Sequence, residues 1–146
     1  MNRLTGESGA GSWAVITSNV LRSLDLVLVG AGGAIGSVLR YLASGFVQRL
    51  DFWGSFPGGT LAVNLIGCTV LGLLGGLSDS RYLFGPSARL FVFIGVLGGF
   101  TTFSTFSYET LALIRAGEAA KAALSVSASL LLCLAGTWLG YGVASR

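Results

Sequence analysis

The sequence predicts an all-α integral membrane protein with four transmembrane helices. Three observations carry that prediction. Of the 146 residues, 53% are hydrophobic and only 10% are charged, where a soluble domain carries about 25% charged residues. Mean hydropathy is +0.78. The charges are clustered, which leaves four long apolar stretches, each near the roughly 20 residues a helix needs to cross a bilayer. A soluble helical bundle would show a polar face on each helix at a period near 3.6, and these stretches show none.

Residues 1–24 read as a Gly- and Ser-rich N-terminal tail carrying Arg3, Glu7 and Arg22. Its apolar piece, Trp13–Val20, is interrupted by Thr17, Ser18 and Asn19, and no small-residue cleavage site follows. The tail is therefore expected to stay attached, to be flexible and to carry no chemistry. Residues 25–146 form the transmembrane domain. Its first span, Leu26–Val47, contains Arg40 followed by Tyr41. An arginine at membrane depth faces a cavity or a partner, unless its long side chain snorkels to the interface.

The second span, Gly58–Leu77, has Asn64 near its middle. An intramembrane Asn either glues helices together or offers its amide donors to a polar solute. The third span, Ala88–Ile114, contains Gly98-Gly99-Phe100-Thr101-Thr102-Phe103-Ser104-Thr105-Phe106-Ser107. Two adjacent glycines weaken a helix, and the hydroxyls after them can take over freed backbone groups. A helix broken mid-membrane, with carbonyls free to hold a cation, is one reading. A continuous helix whose hydroxyls bond back to the preceding turn is the other. At about 27 residues, this segment would be about 40 Å long if helical, longer than the bilayer core. Phe103 and Phe106 share a face of the helix that follows. Their positive ring edges suit an anion, although phenylalanines at this spacing also simply pack.

The fourth span, Ala119–Val143, carries Ser125, Ser129, Cys133 and Thr137 at steps of four. That stripe is a polar track or a small-residue contact surface. Gly32 and Gly36, Gly72 and Gly76, Gly95 and Gly99, and Gly136 and Gly140 form small-xxx-small pairs that let helices approach closely in lipid.

Several function classes are excluded. There is no histidine, and Cys68 and Cys133 form no CxxC pair, so the usual metal sites and nucleophilic constellations are absent. No enzyme is expected. The pI is near 9.2, but the basic residues sit singly at span ends, so no nucleic-acid partner is implied. No acid lies deep in a span. Asp25 and Asp51 flank the first span, and Glu109 is nearer an end of the third. Donors without a buried negative charge suit a small anion better than a cation.

The short connections alternate sides. Arg3, Arg22, Arg81, Arg89 and Arg146 fall on one side, and Arg49, Arg115 and Lys121 on the other. Arg3 is remote from any span, which leaves four basic residues against three. Such a balance permits insertion both ways with antiparallel pairing, or a weak bias that suffices for one orientation.

The run GGFTTFSTFSYE resembles the signature of the CrcB/Fluc family of fluoride channels. So do Gly59-Thr60-Leu61-Ala62-Val63-Asn64 and Gly32-Gly33-Ala34-Ile35-Gly36-Ser37-Val38-Leu39-Arg40-Tyr41. The resemblance extends in order and spacing from about Leu26 to the C-terminus, without the tail. It implies an antiparallel, dual-topology homodimer in the cell (inner or plasma) membrane with two passive fluoride pathways, exporting fluoride and lowering its toxicity. A structural sodium ion (Na+) at the dimer centre would be held by the backbone carbonyls of Gly98 and Thr101. The pore would be lined by Asn64, Phe103 and Phe106, the hydroxyls of Thr102 and Ser107, and a fourth-span track of Ser129 and Cys133. Cys133 is a departure, because a hydroxyl is expected there and a thiol is a weaker donor. Arg40 corresponds to a vestibule arginine. The alternative is a small multidrug-type dual-topology transporter, which needs a glutamate inside the first span, and this one has none. A non-transporting structural subunit would account for the glycines but not for the polar stations.

Overall fold

The computed structural model describes residues 23–50, 53–81 and 83–146. Apart from Ser23 and Leu24, the tail expected over 1–24 lies outside them. Helix α1 is Ser23–Gln48 and α2 is Gly58–Arg81. The third span, Pro86–Arg115, divides into α3 and α4. Helix α3 (residues 86–100) comprises a turn at Pro86–Arg89, a π-helical stretch at Leu90–Leu97 and a last turn at Gly98–Phe100. Helix α4 is Phe103–Arg115 and α5 is Ala119–Ala144. The four spans contain 26, 24, 30 and 26 residues. At about 1.5 Å per residue each exceeds the roughly 30 Å hydrocarbon core.

The helices outrun the apolar stretches. Helix α2 continues through Ser78, Asp79 and Ser80 to Arg81. Hydropathy marks what lipid tolerates, whereas helical hydrogen bonds continue into the polar interface. The ends have local causes. Gly85 is extended and Pro86 opens the third span, at the position where a missing N–H costs nothing. Gly117 has φ 77° and closes α4 in a Schellman motif. Glu118 N–H donates to Leu113 O at 2.9 Å and Gly117 N–H to Ile114 O at 3.0 Å.

The helices form two parallel pairs. Helix α1 lies along α3, where a Cβ on Gly32 would stand 2.5 Å from Phe91 O and one on Gly36 would strike Val96 O. A Cβ on Gly99 would be 2.6 Å from Gly33 O. Helix α2 lies along α5. Gly72 abuts Thr137 O, and added Cβ atoms on Gly76 and Gly140 would be 2.7 Å from Tyr141 O and 2.5 Å from Thr69 O. The small-residue pairs read from the sequence thus sit at close helix contacts, backbone against backbone at every member except Gly136, which faces the Thr69 and Leu65 side chains. Ser55 and Glu118 join the two loops at one end, and Asp79 meets Tyr141 and Arg89 at the other.

Little apolar surface is buried. Among the described residues the buried hydrophobic side chains are Val63, Leu97, Leu113 and Ala122. Leu130, Leu131, Leu134 and Trp138 face outward from α5. This inverts a soluble core, and the chain is a multi-pass membrane protein whose solvent on most faces is lipid.

Candidate functional site at the third-span interruption

Helical hydrogen bonding in α3 ends with Thr101 N–H donating to Leu97 O at 3.0 Å. Thr101 (φ −83°, ψ 157°) and Thr102 (φ −151°, ψ 119°) are extended, and α4 starts at Phe103. Thr102 caps the new helix, its Oγ1 accepting Thr105 N–H at 3.2 Å. The residues that weaken the helix, Gly98 and Gly99, thus lie within one turn of the break, separated from the Thr102 cap by Phe100 and Thr101.

Asn64 holds the two extended residues in place. Its Oδ1 accepts Thr102 N–H at 2.8 Å, and its Nδ2 donates to Thr102 O at 3.0 Å. One side-chain amide thereby serves both backbone groups of one residue. In a continued helix Thr102 N–H would bond Gly98 O and Thr105 N–H would bond Thr101 O. Both protons are diverted, so the carbonyls of Gly98 and Thr101 leave the helical ladder. The carbonyl of Gly99 is taken by Arg40, whose Nε donates to it at 3.0 Å from α1. Gly67, one turn beyond Asn64 on α2, makes room, because a Cβ there would strike the Thr101 methyl.

The Phe103 and Phe106 rings follow, with centroids 5.5 Å apart and planes at 50°. Phe103 is 79% exposed and Phe106 is half-buried. The hydroxyls nearby are occupied locally. Ser107 donates to Phe103 O at 2.9 Å, Thr110 to Phe106 O at 2.8 Å and Thr101 to Leu97 O at 3.0 Å. Thr102 Oγ1 contacts Thr105 Oγ1 at 3.0 Å and Ser104 Oγ at 3.3 Å. The back-bonding reading of this run therefore holds for several hydroxyls, although the main chain is interrupted.

Ser129 and Cys133 are half-buried on α5. Among the described residues, no hydrogen bond joins their side chains to Asn64 or the threonine pair. Thr137, the last member of their stripe, donates to Cys133 O at 3.0 Å and Cys68 O at 3.2 Å. The sequence reading missed four features. Gly67 was signalled by a small residue three positions after Asn64. The π-helical stretch and the bond from Arg40 to Gly99 had no local signal. Glu109, set aside as near a span end, has a buried Oε2 without a hydrogen-bond partner.

Four apolar spans, the third interrupted by two extended residues that an amide of the second span holds, define a multi-pass membrane protein. The chain belongs to the CrcB-like family. The family model described as CrcB-like protein, Camphor Resistance (CrcB), matches residues 27–141. A Geobacter sulfurreducens relative is 49% identical over 115 residues, covering 79% of this chain and 92% of the relative. A Methylobacillus flagellatus relative is 44% identical over 117 residues, covering 80% and 91%. One from Methylocella silvestris is 42% identical over 123 residues, covering 83% and 93%. All three are named fluoride-specific ion channel FluC, a transport function and not an enzymatic one.

Proposed function

We propose that this protein is a fluoride-selective passive channel that exports fluoride from the cytoplasm across the inner membrane as an antiparallel homodimer. The observation that carries the reading is the interruption clamped by Asn64, in a chain whose relatives bear a fluoride-channel name. Fluoride is small and strongly hydrated, so a selective path must replace its water with hydrogen-bond donors. The Asn64 amide has two N–H donors. One holds Thr102 O, and the other remains for the ion. Thr102 and Ser107 lend donors when their hydroxyls rotate from their local acceptors. Ser129 and Cys133 continue the route along α5. The positive edges of the Phe103 and Phe106 rings serve between stations while keeping the wall apolar. Arg40 draws anions toward the entrance. Transport is passive, since the sequence carries no nucleotide motif and no acid in mid-span. Hydrofluoric acid enters acidified cells as a neutral molecule, dissociates inside and leaves as fluoride.

The break lies at membrane depth in this reading, and the carbonyls of Gly98 and Thr101 fit a structural sodium ion. Carbonyls released from an unwound helix are neutral, hard oxygen donors of the kind that coordinate sodium. In a homodimer both chains would supply them. Bound there, the ion supplies positive charge that offsets the cost of an anion in lipid.

Fluoride efflux from liposomes holding the purified protein, followed with an ion electrode, tests the proposal. Fast fluoride loss without chloride loss is expected, abolished by Phe106→Ile and by Asn64→Ala in protein that remains dimeric. Absence of fluoride flux from well-folded dimer in sodium buffer would overturn it.

A further inference from the structure

Cys68 and Cys133 are free thiols at matching heights on the parallel helices α2 and α5. Three observations turn them toward each other. Thr137 Oγ1 lies within hydrogen-bond distance of both cysteine carbonyls, at 3.2 and 3.0 Å. Cys133 shares its helix face with Thr137, one turn on, and Thr137 abuts Gly72. Cys68 in turn shares its face with Gly72 and Gly76, the glycines on which α5 rests. The glycine contacts fix this register over two turns. Both residues are half-buried.

We infer that Cys68 and Cys133 form a two-thiolate site for a soft, divalent, two-coordinate cation of the mercuric class, which on binding staples α2 to α5. Ligand type selects softness, because thiolates prefer soft metals. Ligand number selects geometry. Zinc in structural sites takes four ligands in a tetrahedron, and among the described residues no group of three or more His, Cys, Asp or Glu stands ready. A linear cation needs only two. Charge selects valence. A divalent ion with two thiolates is neutral, whereas a monovalent ion would leave an anion in an apolar wall, where unpaired charge is costly. Oxidation is the weaker alternative, since it needs a free thiolate and apolar burial disfavours one. A metal instead deprotonates the thiol as it binds. Both S–H bonds break, two S–metal bonds form and two protons pass to the buffer, with no change in oxidation state.

The test is titration of the purified full-length protein in detergent with mercuric chloride. Metal uptake, proton release, ultraviolet thiolate-to-mercury absorption and the thermal midpoint are recorded together. One ion per chain, two protons per ion and a raised midpoint, all reversed by dithiothreitol, are expected. Cys68→Ser should release one proton per ion and lose the midpoint shift. Two ions per chain with one proton each would show thiols acting separately and overturn the site, as would no uptake or a shift that survives in Cys68→Ser. None of these readouts depends on fluoride flux, so the inference stands or falls apart from the proposed function.

Discussion

Asn64 engages both backbone groups of Thr102, and this distinguishes it from the other proposed pore residues. Removing its side chain strands an N–H and a carbonyl in a partly buried place, and such groups cost about 1–3 kcal/mol each when water does not replace the partner. Asn64→Ala should therefore lower unfolding free energy by about 2–6 kcal/mol as well as fluoride efflux. Ser129 makes no such clamp, so Ser129→Ala should slow efflux with little change in stability. Denaturation in detergent beside efflux in liposomes separates the two effects. Equal loss of stability in both variants would contradict the clamp. The sequence made Asn64 legible as either helix glue or an ion's donor. The structure shows the first. Arg40 was legible only as a charge needing company. Its acceptor, Gly99 O, is 59 residues away in sequence, and no local pattern encodes that meeting.

At the scale of elements, hydropathy located all four spans, and glycine spacing located the faces on which they pack. The glycine pairs were readable because close approach demands a missing Cβ at two successive turns. The π-helical stretch Leu90–Leu97 was not readable, since its apolar run suits an α-helix equally well and the wider turn arises where α3 meets α1. Helix α5 allows a controlled comparison. A Cβ on Gly140 would be 2.5 Å from Thr69 O, while one on Gly142 meets nothing within 4 Å. Gly142→Ala should gain up to about 1 kcal/mol from helix propensity. Gly140→Ala should push α2 and α5 apart and cost about 1–3 kcal/mol, as overpacking does. Thermal unfolding of both variants reads the difference, and equal midpoints would mean that α2 and α5 are not held in backbone contact. At the interruption, Thr102→Val removes the cap of α4 and should cost about 0.5–2 kcal/mol, whereas Thr102→Ser should keep the bond to Thr105 N–H.

At the scale of the whole molecule, the two ends are fastened differently, and one fastening titrates. Lys121 Nζ lies 2.8 Å from Glu118 Oε2, and Ser55 Oγ donates to the same oxygen at 2.6 Å. The hydrogen bond from Lys121, then that from Ser55, holds the Glu118 carboxyl below its ordinary value. A depressed folded value means that the stabilisation is complete above the unfolded carboxylate pKa. It fades as pH falls through the lower folded value. Carbon NMR of the carboxyl should show that low midpoint, and Glu118→Gln should lose this part of the acid sensitivity. The same end carries Arg49, Arg115 and Lys121, while Arg81, Arg89 and Arg146 mark the other, with Arg22 directly preceding α1 in the sequence. The parallel pairs α1 with α3 and α2 with α5 place Arg81, Arg89 and Arg146 on the opposite side from Arg49, Arg115 and Lys121. With four basic residues against three, the bias is small, and the proposed antiparallel dimer requires that it leave both orientations populated. In that proposal, chains inserted both ways would supply the partners of the dimer. A C-terminal reporter should then be found on both faces of the membrane. Ala116→Lys with Ala120→Lys adds two positive charges to the lighter end, at exposed positions, and should move the C-terminus outside. Alone, that variant should export fluoride poorly, because every chain faces the same way. Co-expression with an oppositely biased chain, such as Ser87→Lys with Ala88→Lys, should restore export. A native reporter found on one face only would rule out dual insertion and require a parallel arrangement for any dimer.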